Sequence, residues 1–430
     1  MSATGTQGQT AGTHGLFARI AGEGADATEA RNGLRHVASL SMTKVADGLI
    51  DPKLVLSWLL SALGAPAAFS GVLVPIRESG ALLPQIVLAD RVARMRVRKW
   101  VWVAGSAVQG IAALAIAAAG LWLEGASAGI AICAALAILA VARSACSVSF
   151  KDVLGKTVGQ SRRGAVTGLA GSVASLAVVV FALLLISGVM EAQAPVIAAI
   201  ALAGVLWLAA AVVFSTLREG DSEDTSGAGA GRYREVLRDA GLRRFILVRG
   251  LLVSTALAPP YLVVLAQQGG DAVLKQLGAL VLSSAAASFV SSYVWGRLSD
   301  RSSRVVLALS GCAAALALAG ALALAWAGMI GAGWAAPAVL FGLMVAYHGV
   351  RTARSVWLVD YAPADARAAY TAVANTSIGV ILLVAGALGG GLSMVSAQVA
   401  IAAFAGMAAL GGLLAMRLPD AEAGEGATPG

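Results

Sequence analysis

The chain has 430 residues, of which 58% are hydrophobic and only 13% charged, with a formal net charge of +8. Soluble domains carry nearer ~25% charged residues, so too few charges are available to coat water-exposed domains of ~150 residues each. With a mean hydropathy of +0.81, the chain is not a soluble enzyme and reads as an all-α membrane protein.

Residues 1–35 are rich in Gly, Ala and Thr and lack the apolar run of a cleavable signal peptide. They read as a mobile tail with a short amphipathic piece around Leu16, Phe17 and Ile20. Beyond them lie apolar segments of ~22–26 residues, each long enough to cross ~30 Å of hydrocarbon as a helix. The predicted spans are 36–61, 66–89, 100–123, 128–151, 165–189 and 194–217, then 244–266, 273–297, 304–327, 335–360, 368–391 and 395–417, twelve in all. Lys44, Asp47, Asp51 and Lys53 interrupt the first, whose apolar run resumes at Leu54 before Pro66 opens the second. The long polar break at 218–243 separates two six-helix bundles, 36–217 and 244–417, and reads as a flexible linker; 418–430 reads as a disordered tail.

Cations concentrate after the even-numbered spans. Arg91, Arg94, Arg96, Arg98 and Lys99 follow the second, and Lys156, Arg162 and Arg163 follow the fourth. Arg301 and Arg304, Arg367 and Arg417 follow the later ones. The opposite loops hold Glu124, Glu191, Asp271 and one cation, Lys275. Because short-loop cations accumulate on the cytoplasmic side, both termini are expected in the cytoplasm and the protein in the plasma (inner) membrane. The +8 is then a record of topology, and no nucleic-acid partner is expected.

Cys133, Cys146 and Cys312 sit in apolar stretches without paired spacing, and His14, His36 and His348 are the only histidines. Neither a disulfide framework nor a metal site is indicated, and no cofactor is expected. The chain has no GxxxxGK[ST] element, so ATP is not the expected energy source.

The two halves repeat one another. Arg143-Ser144-Ala145-Cys146-Ser147-Val148 with Asp152 matches Arg351-Thr352-Ala353-Arg354-Ser355-Val356 with Asp360 at an offset of 208. Pro52-Lys53-Leu54-Val55 matches Pro260-Tyr261-Leu262-Val263 at the same offset, and Asp90-Arg91 with Arg94 matches Asp300-Arg301 with Arg304 at 210. Charged residues in one order at a nearly constant offset mark a duplication, and parallel six-helix repeats are a transporter architecture.

The Asp-Arg-x-x-x-Arg elements after spans 2 and 8 resemble the major facilitator superfamily signature, Gly-x-x-x-Asp-Arg-x-Gly-Arg, as found in bacterial permeases. The second copy, Gly296 to Arg304, keeps the leading Gly; Ile86 replaces it in the first, and Ala93 and Ser303 replace the inner Gly. The resemblance implies twelve helices in two six-helix repeats that move a solute by alternating access. It also implies a cytoplasmic gate in which Asp90, Arg91 and Arg94 work with Asp152, and Asp300, Arg301 and Arg304 with Asp360, holding the halves together. Arg143 resembles the fourth-helix arginine of proton-driven members, although the Gln-Gly expected after it is absent. The fifth span lacks the Gly-Pro pair of the drug-antiporter signature.

Charges deep in a membrane are costly and persist mainly around cavities or partners. Counting from residue 36, Asp47 lies ~16 Å deep, with Lys44 one turn nearer the cytoplasm and Arg77 and Glu78 of span 2 at the same level. Lys44, Asp47, Arg77 and Glu78 are therefore candidates for substrate binding or proton coupling; Arg143 and Arg351, ~13 Å from the same face, join them. Arg249 is expected to snorkel and His348 to pack. At the repeat offsets Asp47, Arg77 and Glu78 align with Thr255, Ala287 and Ser288, so the second half is expected to be mostly small and hydroxylated there and to help shape the substrate pocket.

The expected function is secondary active transport of a small polar or amphipathic solute by a monomer in the lipid bilayer, coupled to protons. Lipid or amphiphile translocation by the same fold is one alternative, and a non-transporting membrane sensor or assembly factor another. No nucleophile–base pair suggests an enzyme.

Overall fold

The computed structural model describes residues 15–187, 193–221, 233–267, 273–299, 301–363 and 366–421, and all regular structure among them is helical. A helical stretch over 15–21 buries Phe17 in a cluster with Ala30, Leu40 and Val166. Helix α1 (Ala27–Leu49) starts well before residue 36 because Asp26 caps it, accepting the N–H groups of Thr28 and Glu29 at 2.7 Å. The tail expected over 1–35 is thus structured from residue 15; residues 1–14 lie outside the described set.

The first apolar stretch breaks after α1. Pro52 has no N–H to continue the helix, and Asp51 Oδ1 accepts the N–H groups of Lys53 at 2.8 Å and Leu54 at 3.1 Å. It resumes as α2 (Val55–Ala62), followed by α3 (Ala67–Leu82) and α4 (Gln85–Ala93), parted at Pro84. Then come α5 (Lys99–Trp122), α6 (Gly125–Thr157), α7 (Gln160–Ile186) and α8 (Ala194–Ser215). Beyond the short α9 (Tyr233–Val236), a second broken stretch runs through α10 (Ala240–Leu252), α11 (Ser254–Leu257) and α12 (Pro259–Gln267). The chain ends with α13 (Val273–Ser299), α14 (Ser303–Trp326), α15 (Ala335–Tyr361), α16 (Arg367–Ser393) and α17 (Ala397–Ala415).

Among the described residues, nine helices are long and apolar enough to cross a membrane. Of the other expected spans, the α1–α2 stretch is broken and charged and α15 carries Tyr347, His348, Arg351 and Arg354, while in α13 the described side chains run unbroken over the apolar Gln276–Ser291.

Packing is matched along the chain. Helix α5 packs on α6 and α8 as α14 packs on α15 and α17. At Gly110 an added Cβ would lie 2.8 Å from the Gly204 carbonyl oxygen, and at Gly311 one would lie 2.6 Å from Gly412 Cα. Small residues are needed there because lipid supplies no hydrophobic drive between helices, so backbones must approach closely. The helices before residue 221 meet those after 233 chiefly through α3 on α16 and α7 on α13. Pro75 of α3 fits against Gly386, and Ser79 Oγ donates to the Gly379 carbonyl at 2.8 Å.

Candidate functional site

Asp47 of α1, Arg77 of α3 and Arg143 of α6 converge on one point. Arg77 Nη2 lies 2.5 Å from Asp47 Oδ1, and Arg143 Nη1 bonds both carboxylate oxygens. The Arg77 side chain is only 9% exposed. Two guanidinium groups therefore neutralise one carboxylate, with one positive charge left over.

Lys44 does not join this triad. Its ammonium donates to the Thr167 carbonyl of α7 at 3.1 Å. A three-residue spacing places Lys44 and Asp47 on one helical face, but both oxygens of Asp47 are already occupied. The long lysine side chain turns to the neighbouring helix instead.

Glu78 follows Arg77 in sequence but faces another space, a cavity of about 30 Å³ between the first and second sets of helices. Arg249, Thr255, Tyr347, Arg351 and Arg354 line it from the other side. Among the described residues Glu78 accepts no hydrogen bond; Lys53, Arg354, Arg77 and Arg351 are the cations that act on it. Lys53 sits in the break between α1 and α2, donates to Tyr347 Oη at 3.3 Å and lies 4.4 Å from that ring's centroid.

Arg249 corrects a sequence expectation. It does not snorkel: it is 5% exposed, and both terminal nitrogens donate to Asn375 Oδ1 at 3.2 Å. Helix α10 packs against α16 and α17 and turns this residue inward. Thr255 lines the cavity, and beside it stand Arg351, already a candidate from the sequence, and Arg249 and Arg354. The repeat offsets set Arg351 opposite Arg143 but pair Arg249 and Arg354 with Ser41 and Cys146, so they do not reveal the charge that these two add from α10 and α15. His348 packs edge-on to Tyr347, ring centroids 5.3 Å apart.

Four of the expected gate residues, Asp90, Arg94, Asp152 and Arg304, form ion pairs among the described residues. Arg94 pairs with Asp90 at 2.7 Å within one helical turn of α4, an i,i+4 contact that satisfies both locally. Asp152 pairs instead with Arg98 at 2.5 Å and Lys156 at 3.0 Å, because Arg98 begins α5, which lies against α6. Arg304 pairs with Asp420 at 2.8 Å. Arg91, Arg301 and Asp360 are exposed, and Asp300 lies outside the described residues. Each of these ion pairs stays within one set of helices.

The ends of the polar break are anchored, against the expectation of a plain linker over 218–243. Glu219 accepts the N–H of Lys99 at 2.7 Å, two contacts from the Arg98 N–H at 3.0 Å and the Lys156 ammonium at 2.9 Å. It holds the positive N-terminus of α5. Asp239 caps α10, accepting the Leu242 N–H at 2.9 Å, Tyr361 Oη–H at 2.8 Å and Tyr370 Oη–H at 2.7 Å. Residues 222–232 lie outside the described set.

Burial acts to raise the Asp239 carboxyl, but these hydrogen bonds outweigh it and hold the group below the ordinary aspartate value of 3.8. A folded value below the unfolded one stabilises above the unfolded pKa and is lost as pH falls through the folded value. Asp239→Ala is therefore expected to cost ~0.5–2 kcal/mol at neutral pH, as lost caps do. The gap in melting temperature between the two proteins should close as pH is lowered below ~4. Thermal unfolding in detergent across pH 7 to 3 checks it; a gap independent of pH contradicts it.

A larger groove of about 820 Å³, lined by Trp100, Val108, Ile138 and Val141, carries no charged side chain. Apolar and open on the outer surface of α5 and α6, it suits lipid acyl chains rather than a polar solute. The charged cavity is the candidate site.

No family model matches the chain, and no curated protein matches it in sequence. Solved structures do. The nucleoside transporter NupG is 13% identical, with 90% of this chain and 98% of that chain covered at a TM-score of 0.65. A D-xylose-proton symporter is 12% identical, covering 92% and 99% at 0.65. A peptide transporter POT in complex with sulfate is 12% identical, covering 90% and 94% at 0.66. These are transporters of the major facilitator fold, and the chain has that fold.

Proposed function

We propose that the chain is a secondary transporter moving a small polar or amphipathic solute by alternating access, coupled to protons. The observation that carries this reading is the charge at the junction of the two sets of helices. Asp47 is held by Arg77 and Arg143, and Glu78 stands in the cavity wall with no hydrogen bond among the described residues. Interior charges of this kind mark solute and ion pathways. The breaks at Asp51–Leu54 and Val253–Ala258 lie in the same region, and discontinuous helices build the sites of many carriers. The three structural neighbours named above, all transporters, support the reading.

In this proposal twelve spans form two six-helix repeats, 36–217 and 244–417; the matched packing of α5 with α14 supports the duplication. The basic loops put both termini in the cytoplasm of the plasma (inner) membrane, and the monomer works without a cofactor. The ion pairs of Asp90, Asp152 and Arg304 stiffen each bundle, so that the two rock as bodies about the central site.

Reconstituted protein tests it. The solute that most stabilises the protein in a melting screen of metabolites is expected to accumulate in proteoliposomes given a pH gradient, and to leave when a protonophore collapses it. Flux indifferent to gradient and protonophore removes the coupling. No protein-dependent flux of any stabilising solute removes the transporter.

A further inference from the structure

The wall of the central cavity is unbalanced in charge. Arg249, Arg351 and Arg354 line it against one carboxylate, Glu78. Elsewhere in the interior the balance is better kept, since Arg77 and Arg143 share Asp47. Among the described residues none of the three wall arginines forms a salt bridge, and Arg249 meets only a neutral amide oxygen. Its Nε is buried with no partner, in a side chain that is 5% exposed and faces the cavity. A buried cation without a counter-charge is strongly disfavoured, so a site that keeps Arg249 buried beside Arg351 and Arg354 is built to receive negative charge.

Resting on the transporter reading above, we propose that the solute is an oxyanion: a small organic molecule whose carboxylate or phosphate group is received by Arg249, Arg351 and Arg354. Planar guanidinium groups match such oxygens with paired N–H donors, which lysine cannot do. The triad comes from two elements, Arg249 from α10 and Arg351 and Arg354 from one face of α15 at a three-residue spacing. Thr255 of α11 and Tyr347 of α15 add hydroxyl groups to the same wall. At about 30 Å³ the cavity holds one or two water molecules in this conformation; the rest of the solute is admitted as the halves part. Glu78, facing the same guanidinium groups, is the group that the arriving oxyanion displaces electrostatically.

The test reads binding without flux, so its failure is separable from failure of the transporter. Purified full-length protein is melted with succinate, benzoate and glucose 6-phosphate, with the neutral counterparts succinamide, benzamide and glucose, and with phosphatidylglycerol in mixed micelles. A soluble anion is expected to raise the melting temperature by ~2 °C or more where its neutral counterpart does not. Arg351→Gln and Arg354→Gln, at positions that are not buried, should weaken that anion's apparent affinity at least ~10-fold, while Arg351→Lys restores part of it. Equal shifts with neutral counterparts, no shift with any soluble anion, or wild-type affinity in both Gln variants overturns the proposal. A shift from phosphatidylglycerol alone transfers the site to a lipid headgroup and also overturns the soluble-anion assignment. An anion that binds in this way but is never transported would leave this inference standing and remove the transport reading.

Discussion

Asp47→Asn is expected to abolish transport, lowering flux by more than ~10-fold, and to destabilise the protein by ~3 kcal/mol or less. That is the low end of the cost of breaking a buried ion pair from one side, because the Asp47 and Arg143 side chains are 23% and 40% exposed. The carboxylate is the common acceptor for Arg77 and Arg143, which come from different helices, α3 and α6. Without it both guanidinium groups lose their counter-charge; Arg143, 40% exposed, can turn to water, whereas Arg77, 9% exposed, has little access to it. Destabilisation alone would leave the role of Asp47 ambiguous, so a compensated variant separates structure from function. Asp47→Asn combined with Arg143→Gln removes one charge of each sign and leaves Arg77 its amide acceptor. Its melting temperature should recover much of the loss while flux stays absent. Recovery of flux together with stability would make the triad a structural brace and not part of the transport cycle.

Asp47 was open to detection from sequence because depth along a helix is a matter of counting residues, and Asp47, Arg77 and Arg143 fall near one level. Counting does not supply azimuth. That is why Lys44, at the right depth, reaches Thr167 on α7 instead of Asp47, and why Arg249 turns inward rather than toward the membrane surface. The matched sequence of the two halves sets Arg351 at the offset of Arg143, but Arg249 and Arg354 fall at the offsets of Ser41 and Cys146, so the comparison does not reveal them as charged partners of one site. The anchors Glu219 and Asp239 leave no periodic trace, because they bind backbone N–H groups and tyrosine hydroxyls across large sequence separations. Asp90 and Arg94 show the converse: an i,i+4 spacing is itself enough to satisfy both, which a family pattern does not reveal. The break in the first span, by contrast, was announced by Asp51-Pro52-Lys53.

Glu78→Gln is expected to uncouple transport from protons while leaving solute exchange in place. Unlike Asp47, which is locked by two arginines, Glu78 accepts no hydrogen bond among the described residues. It looks across the cavity at Arg249, Arg351 and Arg354, with Lys53 and Arg77 also acting on it. As a carboxylate it competes with an incoming oxyanion for those cations; once protonated it no longer does. Proton and anion binding then favour each other, and by linkage each strengthens the other by the same factor. A glutamine keeps the shape and fixes the neutral form, so the site should bind anion at any pH between 5 and 8. Counterflow, in which external label exchanges for internal solute, should continue within a few-fold of wild type. Accumulation driven by a pH gradient should fall by at least ~10-fold, because no proton is carried on the return. Both are measured on the same proteoliposomes, with the melting temperature as a check on folding. Gradient-driven accumulation that survives in Glu78→Gln would move the coupling role to another group, and loss of counterflow as well would show that Glu78 is needed for binding itself.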